Sequence, residues 1–255
     1  MMRTYYDAIY LSPHLDDAAL SCGGQIYQRT AVGQSILVVT IMAGDPPDGP
    51  FSEFAESLHR RWKLAAAEVA TARRAEDATA CAHLGAEYAH WTTLDCVYRV
   101  EPGSGQPLYP TWLEVITAVH PADQPLIRQL AGQLAGLPPA GEIFAPLAVG
   151  GHADHRVGRA AAEACFGERL SYYEDYPYVA AAGALTAVLD PDDPAWQAQP
   201  IPLSPAALAA KLASITAYAS QFHSFFEDEA DLAEKVGGYA ALVGGERVWR
   251  KTAVL

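Results

Sequence analysis

The chain has 255 residues, of which 51% are hydrophobic, and a formal net charge of −13. This size and apolar content predict one α/β domain over residues 1–255 with a substantial buried core. The acidic excess argues against nucleic acid or an anionic membrane as a partner, because phosphate groups attract clustered Lys and Arg. A small-molecule substrate fits the composition better.

The N-terminal apolar run, residues 8–11, is too short for the core of a signal peptide. No stretch approaches the ~20 apolar residues of a membrane span. The four cysteines are few, lie far apart and form no Cys-x-x-Cys pair, so we expect them to be reduced thiols. We therefore expect a cytoplasmic protein without a membrane span, and the sequence leaves a homo-oligomer open.

The first predicted elements alternate between strand and helix. Residues 8–11 form a short apolar run, and residues 18–31 follow with a helical pattern. Residues 35–41 are almost continuously apolar and rich in β-branched side chains, as expected for a parallel strand covered on both faces. On the helix, Gly23 and Gly24 share a face with Leu20, which predicts that the glycines face the sheet.

The later elements repeat this alternation. We predict loops at 43–52 and 102–110, strands at 87–91 and 142–145, and helices at 54–84, 126–137, after 155 and at 206–219. Strand, loop and helix therefore recur, which favours a Rossmann-like three-layer fold with a mostly parallel central sheet. In such folds ligands bind at the C-terminal ends of the strands.

Two His-Asp clusters stand at predicted strand-to-helix junctions: residues 12–17, Ser-Pro-His-Leu-Asp-Asp, and residues 152–155, His-Ala-Asp-His. A hydrolytic metal site needs about three His or carboxylate ligands, an open position for water and a base beside it. His14 and Asp17, spaced i, i+3, can point to a common position, and His155 is the candidate third ligand.

The remaining polar residues of the clusters fit catalytic roles. Asp16 can act as the general base toward the attacking water. His152 can steady the oxyanion or protonate the leaving amine, with Asp154 fixing its orientation and favouring the imidazolium form.

Each cluster also has a structural interpretation. An Asp-Asp pair at a helix start is commonly an N-cap, and a single His-x-Asp-His is commonly a polar surface turn. Their joint occurrence at two strand-to-helix junctions favours the metal site, because neither cap needs histidine.

The motifs resemble those of the PIG-L or LmbE-like zinc-dependent de-N-acetylases, in which Pro-His-Pro-Asp-Asp-Glu precedes a Gly-Gly pair and a later His-Pro-Asp-His. Leu15 and Ala153 replace prolines, and Ala18 replaces the glutamate. The resemblance implies one Zn²⁺ per chain, with Fe²⁺ also compatible. Carried over by position, it implies zinc ligands His14, Asp17 and His155, the base Asp16, and His152 oriented by Asp154.

Weaker similarities to the family extend further along the chain. Arg73 and Asp95 are candidates for sugar contact, although an exposed helix salt bridge and a turn cap are the simpler interpretations. We leave the tyrosines of residues 172–178 out of the site, as core or edge packing. The other histidines show no ligand spacing and are expected to be surface or hydrogen-bonded residues: His59, His83, His90, His120 and His223.

The resulting hypothesis is metal-dependent hydrolysis of the acetamide of an N-acetylated amino sugar or its conjugate. One alternative keeps the site but cleaves a larger amide, such as a thiol-sugar conjugate. Another is a nucleotide-sugar-binding transferase whose aspartates hold a metal-diphosphate, which needs a phosphate cradle that Gly23-Gly24, inside a helix, does not resemble. A non-catalytic metal protein would fill all four coordination positions itself.

Overall fold

In the computed structural model, which describes residues 2–252, seven strands form one sheet in the order β3-β2-β1-β4-β5-β7-β6. Strands β1 to β5 are mutually parallel, whereas β7 runs antiparallel to both of its neighbours, β5 and the edge strand β6. The prediction of one domain over residues 1–255 remains a prediction, with residues 1 and 253–255 outside the described part. The strands are β1 Tyr6–Ser12, β2 Ile36–Thr40, β3 Glu87–His90, β4 Ala140–Pro146, β5 Leu170–Tyr173, β6 Trp196–Ile201 and β7 Glu246–Lys251.

Helices fill the connections between the strands, together with four short 3₁₀ turns. None of the helices within residues 2–252 combines the length and apolarity needed to cross a bilayer. The helices are α1 Asp17–Ala31, α2 Glu53–Trp62, α3 Ala66–Leu84, α4 Trp112–Thr117, α5 Gln124–Leu134, α6 Ala153–Phe166, α7 Pro205–Thr216, α8 Ala219–Phe222 and α9 Glu229–Val243.

The central strands are buried on both faces, which explains their nearly continuous apolar sequences. Ile9 and Leu11 of β1 face one core, which α5 and α6 cover, whereas Ala8 and Tyr10 face a second core, which α1 and α3 cover. These two cores and the sheet between them confirm the predicted three-layer α/β fold.

One predicted element is wrong, and three strands were missed. The helix predicted over residues 54–84 is interrupted at Lys63, which adopts a left-handed conformation (φ 55°) and ends α2. Strands β5, β6 and β7 were not predicted, because their sequences mix polar and apolar residues without a clean period of two.

Gly23 faces α7, whereas Gly24 faces the chain before α7 and the side chain of Glu246 in β7. A Cβ on Gly23 would lie 3.2 Å from Lys211 Cγ, and one on Gly24 would lie 2.6 Å from Leu203 Cδ1. The glycines therefore allow α7 to approach α1 closely, and the predicted approach to a strand is limited to Gly24 beside Glu246 of β7.

A third, smaller core lies over the carboxyl edge of the sheet. It joins α2, the 3₁₀ turn Cys96–Tyr98, α4 and the start of α6, with Tyr98 and Val115 among its buried members. This cap forms one side of the cavity described below.

Candidate metal centre and active site

The two His-Asp clusters meet because β1 and β4 are parallel neighbours in the sheet. Tyr10 pairs with Phe144, so both strands end at the same sheet edge. His14 follows β1, and His152 follows β4 at the start of α6. His14, Asp16, Asp17, His152, Asp154 and His155 are each at most 9% exposed, so the interpretation of residues 152–155 as a surface turn is wrong.

Ser12, not the aspartate pair, caps α1. The Ser12 hydroxyl accepts a hydrogen bond from the Ala18 backbone N–H at 3.0 Å and donates to the His14 carbonyl. Asp16 stands at the N-cap position, but its side chain makes no capping bond. The capping function that would explain Asp16 structurally is therefore supplied by another residue.

Asp17 lies between two histidines. Its Oδ2 atom is 3.3 Å from His14 Nδ1 and 3.3 Å from His155 Nε2, and it also accepts the His14 backbone N–H at 2.7 Å. The three predicted ligands thus point to one position.

The far nitrogen of each of these histidines contacts a carboxylate. His14 Nε2 lies 2.9 Å from Asp154 Oδ2, and His155 Nδ1 lies 2.6 Å from Asp175 Oδ1. Carboxylates commonly hold metal-binding histidines in this way and fix the tautomer that presents the other nitrogen to the ion. Asp175 was not predicted, because nothing in its Tyr-rich segment indicates contact with α6.

The charges of this group suit a bound cation. Burial opposes protonation of both histidines, yet Asp154 and Asp17 raise the pKa of His14 well above its usual value, and Asp17 and Asp175 raise the pKa of His155 to about 10. Although burial acts in the other direction, positive charge on His155 and His14 holds the pKa of Asp17 well below its usual range. A metal ion can supply the positive charge that otherwise requires protons on these rings.

One buried nitrogen also supports a metal fit. Although His155 Nε2 lies 3.3 Å from Asp17 Oδ2, it makes no well-aligned hydrogen bond within the described residues, and a buried polar atom of this kind needs an explanation. Ring nitrogens of His14, His152 and His155 lie within 4.8 Å of one another. The donors therefore allow two ligand sets that share His14 and His155, with either Asp17 or His152 as the third member.

Two further trios have similar spacing, namely Cys96 with His152 and Asp154, and His14 with Asp95 and Asp154. Both require Asp154, whose carboxylate already accepts hydrogen bonds from Arg99 Nη1 at 2.5 Å and from the Cys96 backbone N–H at 2.9 Å, besides its contact with His14. These bonds make Asp154 a poor ligand.

Asp16 has the electrostatic environment of a base. Burial and the neighbouring charge of Asp17 raise the pKa of Asp16 to about 7, despite the opposing effect of Arg73. Arg73 Nη2 lies 3.6 Å from Asp16 Oδ2, and Arg73 is buried, stacking on Trp62 with 5.1 Å from Cζ to the ring centre. The interpretation of Arg73 as an exposed salt bridge is therefore wrong.

His152 is oriented by the main chain. Its Nδ1 accepts a hydrogen bond from the Asp154 backbone N–H at 3.2 Å, whereas the Asp154 carboxylate bonds to His14 and Arg99. Burial, together with His14 and His155, lowers the pKa of His152 well below its usual value. Asp154 thus orients His152 through its backbone N–H, and although the Asp154 carboxylate raises the pKa of His152 as predicted, burial and the two neighbouring histidines outweigh it.

An open cavity of about 580 Å³ reaches this group. One end of this cavity, called here the polar end, is lined by six polar residues. Most of the remaining wall is apolar. A larger cavity of about 830 Å³ lies beyond the turn Cys96–Tyr98 and is not lined by any of the predicted ligands or by Asp16. The six residues of the polar end of the smaller cavity are His14, Asp16, Asp17, Arg73, Asp95 and His152.

The comparison with protein families agrees with this geometry. The PIG-L family model, described as GlcNAc-PI de-N-acetylase, matches residues 9–166, which include both clusters. The chain belongs to the PIG-L family. The resemblance inferred from the motifs is thereby confirmed.

Several relatives of this PIG-L member are deacetylases. It is 31% identical over 176 residues to 2'-N-acetylparomamine deacetylase from Streptomyces fradiae, and the match covers 67% of this chain but only 57% of that protein. It is similar to the zinc-inhibited form of a teicoplanin deacetylase, with 25% identity and a TM-score of 0.80, and to a deacetylase-teicoplanin complex, with 27% identity and a TM-score of 0.79. Both structural matches cover 97% of this chain and 99% of the other.

Two further residues of this PIG-L member support the site, of which Arg99 was not predicted. Arg99 is buried and joins Asp154 to Asp123, with Nη2 2.8 Å from Asp123 Oδ2. Asp95 caps the turn Cys96–Tyr98 through the Val97 N–H, as its simpler interpretation predicted, and its other oxygen is 3.8 Å from His14 Nε2. The sequence contains no spacing that would single out Arg99.

The tyrosines of residues 172–178 divide between core and site. Tyr172, Tyr173 and Tyr176 are buried, as predicted, whereas Tyr178 lines the cavity, with its ring centre 6.1 Å from that of His155. Ala18, where the family motif has glutamate, is packed in the apolar core and offers the site no polar group.

The remaining histidines lie outside the group. Three of them have hydrogen bonds: His59 with the Tyr98 hydroxyl, His90 with Asp77, and His120 with the Ala122 N–H. His83 and His223 are exposed. The cysteines are free thiols, as expected.

Proposed function

We propose that this chain hydrolyses the acetamide of an N-acetylated amino sugar or its conjugate, releasing acetate and a free amine, with a metal ion bound by His14, Asp17 and His155. One observation carries the proposal. The carboxylate of Asp16, which makes no capping bond, stands beside the converging ligand group at the polar end of an open cavity. This arrangement combines a base with a cation site that substrate can reach.

A divalent ion in that position would polarise the acetamide carbonyl and lower the pKa of a water molecule. Asp16 is placed to accept the proton that this water loses as its oxygen forms the new bond to the carbonyl carbon. When the C–N bond breaks, the same carboxyl can return the proton to the amine nitrogen. Water and acetamide are thereby converted into acetate and amine with no further reactant.

His152 contributes a directed N–H donor. Because its Nδ1 accepts from the Asp154 N–H, the neutral ring carries its proton on Nε2. That N–H can stabilise the negative charge that develops on the carbonyl oxygen. The low pKa of His152 makes hydrogen-bond donation a better role than proton transfer.

We propose Zn²⁺ as the ion, with Fe²⁺ as the alternative, since two imidazoles and one carboxylate suit both. The zinc-inhibited state named for the teicoplanin deacetylase makes the amount of zinc a variable to control. A non-catalytic metal protein would close its site with four protein ligands, whereas the cavity here reaches the ligand group.

The transferase alternative is less well supported. Gly23 and Gly24 lie inside α1 against Leu203 and α7, so they form no loop that could cradle phosphate. A larger conjugate of the amino sugar remains compatible with the cavity, whose volume is within the roughly 300–1,000 Å³ typical of ligand sites.

The test is acetate release from alkyl glycosides of N-acetylglucosamine by protein stripped with a chelator and reloaded with one equivalent of Zn²⁺ or Fe²⁺. We expect turnover only with the reloaded protein, and inhibition when zinc exceeds one equivalent. Mg²⁺ serves as the control, because it prefers an all-oxygen octahedral site. Equal turnover by stripped and reloaded protein would refute the metal-dependent mechanism.

A further inference from the structure

The wall of the catalytic cavity is divided by chemistry. The polar groups that suit an acetamido sugar lie at the end formed by the β1 and β4 junctions. The wall leading away from them is built from Phe54, Leu58 and Trp62 of α2, Trp112 and Ile116 of α4, and Phe225 after α8. Beyond the polar end, the side chains with polar groups are Arg61, Gln221, Ser224 and, beside His155, Tyr178, together with the indole nitrogens of the two tryptophans.

This composition disfavours a second polyhydroxylated unit beside the amino sugar. Hydroxyl groups buried against apolar side chains lose their hydrogen bonds to water, which is costly without new partners. An apolar group of the ligand would instead remove both surfaces from water. Trp112 is 46% exposed although its ring centre lies only 5.8 Å from that of His152, so a large apolar surface is available next to the reacting position.

The charged side chains that line the cavity also disfavour cationic conjugates of the amino sugar. Arg61 is exposed at the cavity, and Arg73 lies deeper beside Asp16. The acidic side chains that line the cavity, Asp16, Asp17 and Asp95, are all at the polar end. A cationic extension of the substrate would therefore meet Arg61 without an acidic partner on the apolar wall.

We propose that this wall is a subsite for an uncharged apolar aglycone, alkyl or aryl, attached to the N-acetylated amino sugar. The subsite rests on the proposed function, since it names the substrate class of the same site. The polar end holds the acetamide for hydrolysis, and the wall binds the aglycone. A free amino sugar, a second sugar unit or a cationic conjugate leaves the wall without a matching group.

The experiment compares kcat/KM for acetate release from four N-acetylglucosamine substrates: the methyl, hexyl and aminohexyl glycosides and the disaccharide N,N'-diacetylchitobiose. Hexyl and aminohexyl differ only in a terminal amine, so they separate apolar contact from length. We expect the hexyl glycoside to exceed each of the others by at least about tenfold, as a well-filled apolar pocket can provide.

Two variants locate the effect. Phe225→Ala and Trp112→Ala should each reduce the hexyl-to-methyl ratio of kcat/KM at least about threefold, because each removes part of the apolar surface. Tyr88→Ala is the matched control, since Tyr88 is 47% exposed on β3 and does not line the cavity, and it should leave the ratio unchanged. Calorimetric binding of hexyl glucoside, which has no acetamide, should weaken in the same two variants.

The outcomes separate the two proposals. If the reloaded enzyme releases acetate equally from all four substrates, or prefers the disaccharide or the aminohexyl glycoside, the aglycone subsite is wrong and the deacetylase function stands. If no substrate releases acetate while hexyl glucoside binds through Phe225 and Trp112, the proposed function is wrong and an apolar binding site remains. If no substrate releases acetate and hexyl glucoside does not bind, both the deacetylase function and the aglycone subsite are wrong.

Discussion

The carboxylate of Asp154 lies 2.9 Å from His14 Nε2, whereas His152 bonds to the backbone N–H of Asp154. His155 has the equivalent contact, through Nδ1, with Asp175. Both proposed histidine ligands are therefore held from behind by a buried carboxylate, which leaves His14 Nδ1 and His155 Nε2 facing Asp17. This paired support is the feature that most favours a metal centre over a simple ionic cluster.

Asp175→Asn should weaken metal binding by about 10- to 100-fold, because the amide cannot hold His155 with a negative charge. The affinity is measured by competition with a chelating dye. The exposed Asp192→Asn variant is the control and should bind metal like the wild type. Wild-type affinity in Asp175→Asn would show that the Asp175 contact does not support a ligand.

The two possible ligand sets make opposite predictions for Asp17 and His152. Because Asp17 Oδ2 lies 3.3 Å from both histidine nitrogens, we expect Asp17→Ala to lose stoichiometric metal and His152→Ala to keep it. His152→Ala should still lower kcat by roughly 100- to 1,000-fold, as loss of an oxyanion donor does. Metal analysis of the two purified variants decides, and the reverse pattern would assign the third ligand to His152.

The value of kcat/KM for acetate release should fall as the pH is lowered and Asp16 becomes protonated. Its carboxylate is competent as a base only above its pKa, which is about 7 without a metal and lower when a cation is bound nearby. Arg73 opposes this rise, so Arg73→Met should move the acid limb of kcat/KM to higher pH, and Arg73→Lys should move it less. A limb that stays in place or moves to lower pH in Arg73→Met would exclude Asp16 as the titrating base.

The two His-Asp clusters, the family and the three-layer fold could be predicted from the sequence, because motifs at strand ends and apolar runs are local signals. It could not reveal the partners that folding brings in from distant segments. Asp175 reaches α6 from beyond β5, and Arg99 reaches Asp154 from a loop. The hydrogen bond between the Asp154 carboxylate and His14, which follows β1, was not predicted for the same reason, since the position of Asp154 next to His152 in sequence drew attention to that histidine alone.

A buried ion pair between α7 and β7 should contribute to the free energy of unfolding. Lys211 Nζ lies 2.7 Å from Glu246 Oε1, and Glu246 also accepts the backbone N–H groups of Gly24 and Gln25 in α1. Lys211→Met leaves the buried carboxylate without its cation and should lower the free energy of unfolding by about 3 kcal/mol.

Urea denaturation measures this effect. Lys235→Met, which breaks a 2.8 Å pair with Asp231 at the surface, is the matched control and should change the stability much less. Equal effects of the two substitutions would show that burial of Lys211 and Glu246 adds nothing to their coupling.

The central claim is that Asp16 moves the proton and Asp17 binds the metal. Metal content and acetate release, measured on the same preparation of Asp16→Asn, test it most directly. The account predicts that the variant keeps one metal ion per chain while its kcat falls roughly 100- to 10,000-fold, as loss of a general base does. An Asp16→Asn protein that holds its metal and deacetylates at the wild-type rate would contradict it.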